Sequence, residues 1–445
     1  MKDKKFYLLI FGCQMNISDA ERLATALKAL GYQETNNEDE ADLIGVVACS
    51  VKQTAVDRIY GKVRNWQIVK EKRPLITMLS GCVLDYDRKK LADKFDIFLD
   101  IKNLDNLAES IKKAAPEEKL ALPSFFDIQP SYYSSYRAYV PIMTGCNKFC
   151  TYCAVPYTRG REVSRPSASI IAEIKELLAK NYKEIILLGQ NVNSYGLDKI
   201  SARGGPASGG KDTAELTFPQ LLEQIDKLAD HFWLKFLTSH PYDMSDELIT
   251  VMKNGKNINN YLHLPVQSGS DEQLKKMNRH YSIAHYTELI NKIRTTLPDI
   301  SISTDLIVGF AGETVSDFKA TEKLVKSLKF NLSFTSQYSQ RTGTVAAKLY
   351  PDDVTQETKK ERFNIINTQI GKNAKIYNEQ LVGKTFEVLI DAVNCEEKKC
   401  KNIGKLANYT AVHVITKEPL KVGEFYQVKI TQADAWGVLA EIYVN

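Results

Sequence analysis

Long apolar runs are missing from this 445-residue sequence. No apolar segment reaches the 18 or so residues that a membrane-spanning helix needs, so the sequence predicts no membrane partner. Cysteine is also sparse, because eight in a chain of this length are too few for a disulfide scaffold. Neither charge dominates, since 59 Lys and Arg against 54 Asp and Glu leave a net charge of +5. This excludes a wholly basic nucleic-acid-binding chain, and any RNA contact must come from a local patch.

The composition that is present is ordinary for a globular protein. Hydrophobic residues make up 44% and charged residues 25%, which argues against disorder or a fibrous class. The length suggests about three domains. Lys2–Lys5 and the apolar run after them imitate a signal peptide, but the run is short and a helical pattern follows at once. We therefore expect a cytoplasmic protein.

Residues 1–115 alternate short apolar runs with helical patterns, which is typical of a parallel α/β sheet. The predicted strands are Phe6–Phe11, Leu43–Val47, Leu75–Leu79 and Ile97–Leu99. The predicted helices are Ser18–Leu30 and Ala55–Val69. A Pro- and Tyr-containing segment, 115–136, then predicts a linker. The first predicted domain is 1–125.

The same alternation resumes in a second predicted domain, 132–370. Its predicted strands are Tyr139–Met143, Glu184–Leu188, Trp233–Leu237, Leu262–Val266, Ile302–Val308 and Leu332–Tyr338. Helical patterns separate them, among them Ser169–Asn181, Phe218–His231 and His285–Leu297. Six strands with right-handed crossovers predict a partial or full barrel of the TIM type. The glycine-rich stretch 199–212 predicts a flexible loop.

The last part of the chain has a different pattern of apolar and polar residues. A polar helical pattern over 353–380 leads into four short alternating strands: Thr385–Ile390, Ala411–Ile415, Phe425–Ile430 and Val438–Tyr443. This spacing predicts a small all-β barrel over 376–445.

Three cysteines follow the first strand of the predicted barrel in the pattern C-x3-C-x2-C: Cys146, Cys150 and Cys153. Three thiolates on one tight loop can hold three irons of a cubane cluster and leave the fourth iron open. Zinc is the alternative, but structural zinc takes four ligands and no fourth Cys or His lies near this loop. The pattern therefore favours a catalytic iron–sulfur cluster.

Cys13, Cys49 and Cys82 each follow one of the first three predicted strands. The carboxyl ends of parallel strands meet at one edge of a sheet, where ligands usually bind. Three buried core cysteines would be the simpler interpretation. Their shared position after a strand nevertheless favours a second cluster.

The segment from Gly145 to Cys153, with an aromatic Tyr152 before the last cysteine, resembles the cluster motif of radical S-adenosylmethionine (SAM) enzymes. The resemblance implies a SAM molecule chelated to the open iron and reductive cleavage to a 5′-deoxyadenosyl radical. It also implies that the barrel secludes that radical. Candidate SAM contacts at strand ends are Gly189, Gln190, Asn191, His263, Gln267, Gly309 and Glu313. For His263, as for His240, a structural role is the alternative.

An N-terminal three-cysteine domain, a radical SAM barrel and a small β-barrel together resemble the methylthiotransferase family over essentially the whole chain. Tyr157–Pro166 and Leu188–Tyr195 look most like its MiaB branch. That resemblance implies two [4Fe–4S] clusters and methylthiolation of isopentenylated adenosine in a tRNA anticodon stem-loop. One SAM would donate the methyl group and a second the radical. Sister branches modify threonylcarbamoyl adenosine or a ribosomal-protein aspartate, and they remain alternatives.

The remaining features concern partners. Arg137, Arg159, Arg161 and Arg165 predict a basic rim for SAM or RNA phosphates. The C-terminal barrel resembles the RNA-binding TRAM module, and its predicted RNA face comprises Lys398, Lys399, Lys401, Lys405, Asn408 and Tyr409. Cys395 and Cys400 are expected to be two thiols on a turn. The family resemblance also implies a flavodoxin or ferredoxin as electron donor and iron–sulfur assembly or sulfur-donor proteins. A non-catalytic RNA-binding redox module is the alternative from another functional class.

Overall fold

The computed structural model describes residues 4–49, 53–114, 126, 128–201, 216–396 and 399–443. The strands are β1 Lys5–Phe11, β2 Gln33–Glu34, β3 Leu43–Cys49, β4 Ile76–Cys82, β5 Ile97–Phe98, β6 Arg137–Pro141, β7 Met143–Thr144, β8 Val163–Ser164, β9 Glu184–Leu188, β10 Trp233–Phe236, β11 Tyr261–His263, β12 Ser301–Val308, β13 Leu332–Gln337, β14 Thr385–Glu396, β15 Lys399–Leu406, β16 Ala411–Thr416, β17 Phe425–Asp434 and β18 Gly437–Ile442.

The helices are α1 Gln14–Ala29, α2 Gln53–Lys70, α3 Asp85–Lys90, α4 Leu107–Ala114, α5 Val155–Thr158, α6 Ser167–Ala179, α7 Leu197–Ser201, α8 Phe218–Asp226, α9 Asp246–Asn254, α10 Asp271–Lys276, α11 Ile283–Thr296, α12 Val315–Leu328, α13 Val345–Leu349 and α14 Gln356–Glu379. Within the described residues, none of them combines the length and apolarity that a bilayer crossing requires.

The contacts divide the chain into two units. The first comprises residues 1–134, 139–165 and 341–348, and the second comprises 135–138, 166–340 and 349–445. Residues 115–125 of the predicted linker, 115–136, and residues 202–212 of the predicted glycine-rich loop, 199–212, lie outside the described residues. Residues 199–201 of that predicted loop instead complete α7.

A parallel five-stranded sheet in the order β2-β1-β3-β4-β5 forms the centre of the first unit. All seven residues of β3 are buried, because apolar clusters cover both faces of the sheet. Continuous burial of this kind is typical of a parallel strand between two helical layers. Helix α1 begins at Gln14 rather than at the predicted Ser18, and β4 continues to Cys82. The predicted parallel α/β organisation is confirmed.

The central strands form two three-stranded sheets, β10-β9-β6 and β11-β12-β13. The first residues of β6 belong to the second unit, as do all the other strands of these sheets. Strands β9 and β10 pair in parallel, as do β11 with β12 and β12 with β13. A single parallel bridge between Leu234 and Ile258 extends the first sheet beyond β10. The six strands therefore run in the sequence order of a partial (β/α) barrel, as predicted.

A closed barrel of strands in the order β14-β15-β16-β18-β17 follows α14. The predicted all-β barrel is confirmed, but β15 was not predicted. The bounds expected for a turn, 394–401, are wrong, because residues 394–396 belong to β14 and residues 399–401 belong to β15. Cys395 and Cys400 are paired across this hairpin and form a disulfide, so the expectation of two separate thiols is also wrong.

The C-terminal barrel packs against residues at the amino ends of the central strands. Tyr409 stacks on Tyr261 with ring centroids 4.5 Å apart, and Phe425 lies 5.1 Å from Trp233. The side-chain amide of Asn259 donates a hydrogen bond to the Ala407 carbonyl at 3.0 Å. These contacts bury aromatic surface between the central sheet and the barrel, which stabilises their association.

A buried ion-pair network accompanies this packing. Glu184, at the start of β9, accepts hydrogen bonds from Arg137 and, at 2.6 Å, from Lys235. Arg137 also donates to Asp391 of β14 at 2.6 Å. The Glu184 and Lys235 side chains are 2% and 1% exposed, so these charges depend on one another for compensation.

Candidate functional site

Cys13, Cys49 and Cys82 lie at the carboxyl edge of the N-terminal sheet. Cys13 precedes α1, and Cys49 and Cys82 are the last residues of β3 and β4. The latter two are direct partners in the strand register. All three thiols are reduced. The sheet thus brings three potential metal ligands, 69 residues apart from first to last by sequence number, to its ligand-binding edge.

Asn16 connects two of these cysteine-bearing segments. Its fully buried side chain accepts a hydrogen bond from the Cys13 backbone N–H at 3.2 Å and donates one to the Ala48 carbonyl at 3.2 Å. A Cβ at Gly12 would lie 2.1 Å from the Asn16 side-chain oxygen. Gly12 therefore permits the close approach by which Asn16 holds Cys13 beside the end of β3.

Arg159 reaches Cys82 from the segment after the C-x3-C-x2-C motif. Its Nε donates to the Cys82 Sγ at 2.8 Å, and its other nitrogens bind the fully buried carboxylate of Asp19. A hydrogen bond from Cys49 and, against burial, the Arg159 charge lower the pKa of Cys82 to about 6. Since the thiolate is the metal-binding form, this environment prepares Cys82 as a ligand.

Asn16, Asp19 and the role of Arg159 were not predicted from the sequence. A signal was present in α1, because Asn16 and Asp19 share the helical face that carries the buried Leu23 and Leu27. Polar residues within an apolar helical stripe indicate buried partners.

The second cysteine set lies on a compact loop between β7 and α5, and its three thiols are reduced and half-buried. The Cys146 N–H donates to the Gly160 carbonyl at 3.1 Å. Gly145 has a φ of +80°, and a Cβ there would lie 1.9 Å from the Arg161 carbonyl oxygen, so only glycine fits. Burial raises the pKa of Cys146 to about 11.

Further contacts close this loop onto the segment that follows it. The Asn147 N–H donates to Glu162 at 3.2 Å, and the Glu162 N–H donates to the Asn147 side chain at 3.3 Å. The Arg161 guanidinium lies 4.3 Å from the centre of the Phe149 ring. The half-buried Tyr152 lies on the same loop. These contacts hold the backbone of the motif against the segment that follows it.

Both cysteine sets fit iron–sulfur clusters better than single metal ions. Among the described residues, no three His, Cys, Asp or Glu side chains converge closely enough to hold one metal ion. A zinc ion would require four ligands at roughly 2.0–2.3 Å. A cubane instead accepts thiolates on separate irons, which suits three cysteines spread along a loop or a sheet edge.

The predicted SAM contacts of the second unit lie at the ends of its strands or in the segments that follow them. Gly189, Gln190 and Asn191 follow β9, and the Gly189 carbonyl accepts from the Thr238 hydroxyl at 2.6 Å. Asn191 is buried and donates to Asp243 at 2.7 Å. Gln267, after β11, is also buried and has a φ of +75°.

Three buried polar atoms near these strand ends lack a protein partner: Asn191 Oδ1, Ser239 Oγ and Gln267 Oε1. An unsatisfied buried polar atom costs about 1–3 kcal/mol, so such atoms usually serve a ligand or water. The ammonium, ribose hydroxyls and adenine amine of SAM supply hydrogen-bond donors. The residues present therefore fit this cofactor.

Gly309 and Glu313 form a closed turn after β12. The Gly309 N–H donates to the Glu313 carboxylate at 2.7 Å, and Arg362 of α14 donates to the same carboxylate at 2.5 Å. Glu313 is 4% exposed, and burial raises its pKa although the Gly309 and Arg362 contacts oppose this. The carboxylate thus holds the turn against α14.

His263 and His240 both have structural partners. His263 shares a hydrogen bond with Ser303 at 2.8 Å, and the His240 Nδ1 accepts from the Tyr242 N–H at 3.2 Å. His240 therefore caps a short 3-10 helix, Pro241–Asp243. This is the structural role stated above as the alternative for His240.

As a binding surface for RNA phosphates, the predicted basic rim is wrong for three of its four arginines. Arg137 and Arg159 are held in the ion pairs described above, and Arg165 is 4% exposed. Only Arg161 of the four is exposed. Buried cations with protein partners cannot hold RNA phosphates, since phosphate contacts require access to the backbone.

The predicted RNA face of the C-terminal barrel also needs correction. Asn408 is buried and donates to the Tyr377 hydroxyl at 3.0 Å, and Tyr409 stacks on Tyr261. Both therefore pack within the protein. Lys399 and Lys401 are exposed, whereas Lys398 lies outside the described residues.

Comparisons with protein families match three segments of the chain. The radical SAM superfamily matches residues 140–325, and the TRAM domain matches 379–442. Uncharacterized protein family UPF0004 matches residues 5–100. A radical SAM domain flanked in this way defines an enzyme of the radical SAM class, with SAM and [4Fe–4S] clusters as its cofactors.

Curated relatives specify the family. The tRNA-2-methylthio-N(6)-dimethylallyladenosine synthase of Thermoanaerobacter sp. (strain X514) is 38% identical and covers 99% of this chain and 93% of its own length. The Parabacteroides distasonis protein of the same name is 37% identical over 99% of this chain and 95% of its own. The chain belongs to this family of tRNA methylthiotransferases.

Solved structures agree with the fold. The radical SAM methyltransferase TsrM from Kitasatospora setae aligns with a TM-score of 0.55 and 12% identity, over 78% of this chain and 77% of its own. The cobalamin-dependent radical enzyme OxsB aligns with a TM-score of 0.52 and 11% identity, over 82% of this chain and 56% of its own. At these identities the likeness concerns the fold alone.

Proposed function

We propose that this enzyme adds a methylthio group to carbon 2 of N(6)-isopentenyladenosine beside the tRNA anticodon. The observation that carries the proposal is the presence of two separate sets of three reduced cysteines in one methylthiotransferase chain. Carbon 2 of an adenine has neither an acidic proton nor a leaving group. Acid–base catalysis therefore cannot activate it, whereas a carbon radical can.

The cluster at Cys146, Cys150 and Cys153 would provide reductive cleavage of one SAM, while the second cluster would provide the sulfur that a further SAM methylates. Cys13, Cys49 and Cys82 would hold that second cluster. Each set would leave one iron without a protein ligand, because each contains three cysteines. Tyr152 would lie beside the SAM-binding cluster.

The remaining residues would orient the cysteines and SAM, or stabilise the charge of the Cys82 thiolate. Asn16 fixes Cys13 relative to β3, and Arg159 with Asp19 holds the Cys82 thiolate. Asn191, Gln190 and Gln267 would orient SAM, together with Gly189 and the turn from Gly309 to Glu313. The burial of Asn191 and Gln267 would keep water away from a bound SAM, which also protects a radical from side reactions.

We infer that the enzyme works in the cytoplasm on the anticodon stem-loop of tRNA. A flavodoxin or ferredoxin would supply electrons, and iron–sulfur assembly or sulfur-donor proteins would supply the second cluster. The base must leave its stack to be modified, which costs least in a single-stranded loop.

An anaerobic assay with three substrates tests the proposal: isopentenylated tRNA, threonylcarbamoylated tRNA and the ribosomal protein. Mass analysis should show a methylthio product from the first. Replacing Cys146, Cys150 and Cys153 with Ala should abolish SAM cleavage. Replacing Cys13, Cys49 and Cys82 should spare cleavage but stop sulfur insertion. Preferential turnover of the second or third substrate would assign the chain to a sister branch.

A further inference from the structure

One face of the sheet β11-β12-β13 carries polar and aromatic side chains. His263 pairs in register with Ser303, and Asp305 pairs with Phe334, so the four side chains point to the same face. The alternate residues of β12, among them Ile302, Leu306 and Val308, are fully buried on the opposite face. In a (β/α) barrel the helices cover the outer face, so the first set lies on the inner face.

This inner face differs from an ordinary barrel interior, which is filled by branched apolar side chains. The His263 Nδ1 lies 2.8 Å from the Ser303 hydroxyl, and its Nε2 lies 3.4 Å from the Asp305 carboxylate. The Tyr261 hydroxyl lies 2.7 Å from the same Ser303 hydroxyl. Together these contacts fix the imidazole ring and its orientation.

The inner face is accessible to solvent at Phe334. Phe334 belongs to β13, the last strand of its sheet, and is 52% exposed. Its ring centre lies 5.6 Å from that of His263, with the planes at 75°. The Asp305 side chain is 35% exposed beside it. An exposed aromatic ring next to a partly exposed carboxylate and an oriented imidazole suits a planar base, which stacks on the ring and hydrogen-bonds at its edge.

We propose that this inner face, Phe334 with His263 and Asp305, binds the target adenine of the tRNA after it leaves its stack. The inference rests on the proposed function and names the residues that would receive the substrate. Phe334 stacks on the base, Asp305 accepts the N–H that remains on the alkylated N6, and His263 orients the Asp305 carboxylate through its Nε2. His263, which the sequence indicated as a SAM contact, is thereby assigned to the substrate.

The adenine of SAM has the same recognition chemistry. Two observations favour the tRNA base. Phe334 and Asp305 are accessible at the open side of the sheet, whereas the polar atoms that fit SAM, on Asn191, Ser239 and Gln267, are buried. A base carried on a large RNA must enter from an accessible side, since the rest of the RNA stays outside.

The test measures the binding of two anticodon stem-loop RNAs to the full-length, reconstituted enzyme under anaerobic conditions. One RNA carries isopentenyladenosine at the target position, and the other carries an abasic site there. Wild-type enzyme should prefer the first RNA by about tenfold or more, since stacking of one base contributes that much. In Phe334→Leu and Asp305→Asn, this preference should fall at least about fivefold.

Two controls make the result specific. Tyr60→Leu removes an exposed ring from α2 and should leave the preference unchanged. SAM affinity, measured by equilibrium dialysis without RNA, should remain within about twofold of wild type in all variants, because the cofactor binds elsewhere. Both test substitutions concern exposed or isosteric groups, and melting curves check that the variants fold.

The outcomes separate this inference from the proposed function. If wild-type enzyme forms the methylthio product but the variants keep the full preference for the base, the inference fails and the function stands. Loss of SAM affinity with unchanged RNA preference would assign the face to the cofactor and overturn the inference. A wild-type enzyme that makes no product from isopentenylated tRNA would instead overturn the proposed function.

Discussion

At the scale of single residues, buried charge is the main determinant of the N-terminal site. Arg159 is 3% exposed and bridges Cys82 and Asp19. Its sequence context, with Arg161 and Arg165 nearby, indicated a surface patch. The pairing was not predictable, because Asp19 lies 140 residues away and only the fold brings the two together. Local charge counts report composition but not the long-range partner that buries a charge.

Arg159→Gln tests this arrangement. Removing one partner of a buried ion pair leaves Asp19 uncompensated, so we expect a loss of about 3–5 kcal/mol in the free energy of unfolding. The double variant Asp19→Asn with Arg159→Gln removes both charges and should recover much of that loss. Denaturant titration of the two variants and of Arg64→Gln, an exposed arginine in the same unit, measures the difference.

In the double variant, iron binding should stay low although the free energy of unfolding recovers. Both Arg159 variants leave the Cys82 thiolate without its cation, so the N-terminal cluster should assemble less completely in each. Iron analysis after anaerobic reconstitution checks this expectation. If the double variant regains full iron content along with stability, Arg159 serves folding alone.

At the scale of elements, the ion pairs of β9, β10 and β14 connect the central sheet to the C-terminal barrel. Glu184→Gln leaves Arg137 and Lys235 without their shared carboxylate, and we expect a loss of about 3 kcal/mol or more. Glu223→Gln, which breaks an exposed pair between Glu223 of α8 and Lys227, should cost less than about 1 kcal/mol. Thermal unfolding and hydrogen exchange in β14 and β17 measure both effects.

The same network predicts a dependence on pH. Although burial opposes it, the charges of Lys235 and Arg137 hold the pKa of Glu184 below its ordinary value. A lowered native pKa stabilises the folded state above the unfolded value of about 4.3, and this contribution disappears as the pH falls through the native pKa. Wild-type protein should therefore lose stability toward acid more steeply than Glu184→Gln in this range.

Regular elements were predictable where periodicity was strong. The strand Glu184–Leu188 was predicted with its observed bounds, because a short continuous apolar run fits a buried parallel strand. Strand β15, KCKNIGKL, was missed, since its alternation is interrupted by polar residues. Asn402 in this strand is fully buried and bonds to the Val414 carbonyl and the Thr416 hydroxyl. In the sequence alone, a polar residue such as Asn402 is typical of a turn, although here it lies inside a strand.

At the scale of the whole molecule, the prediction of a methylthiotransferase depended on the order of the three predicted domains and on the two sets of cysteines. The fold class and the position of the cysteines after strands depend on local patterns, and both could be predicted from the sequence. The inner face with Phe334 depends on strand register, which a single sequence does not specify. The boundaries 1–125, 132–370 and 376–445 remain a prediction that limited proteolysis can test.

The iron content of the whole chain tests both cysteine sets at once. Two cubanes of four irons predict about eight irons per chain after anaerobic reconstitution. Replacing either set of three cysteines with Ala should leave about four irons, because one set lies at the edge of the N-terminal sheet and the other on the loop between β7 and α5. Replacing Cys395 and Cys400 should leave all of them, since those thiols are joined to each other. Iron and sulfide analysis gives the count, and a wild-type chain that retains one zinc and no iron would contradict both sites.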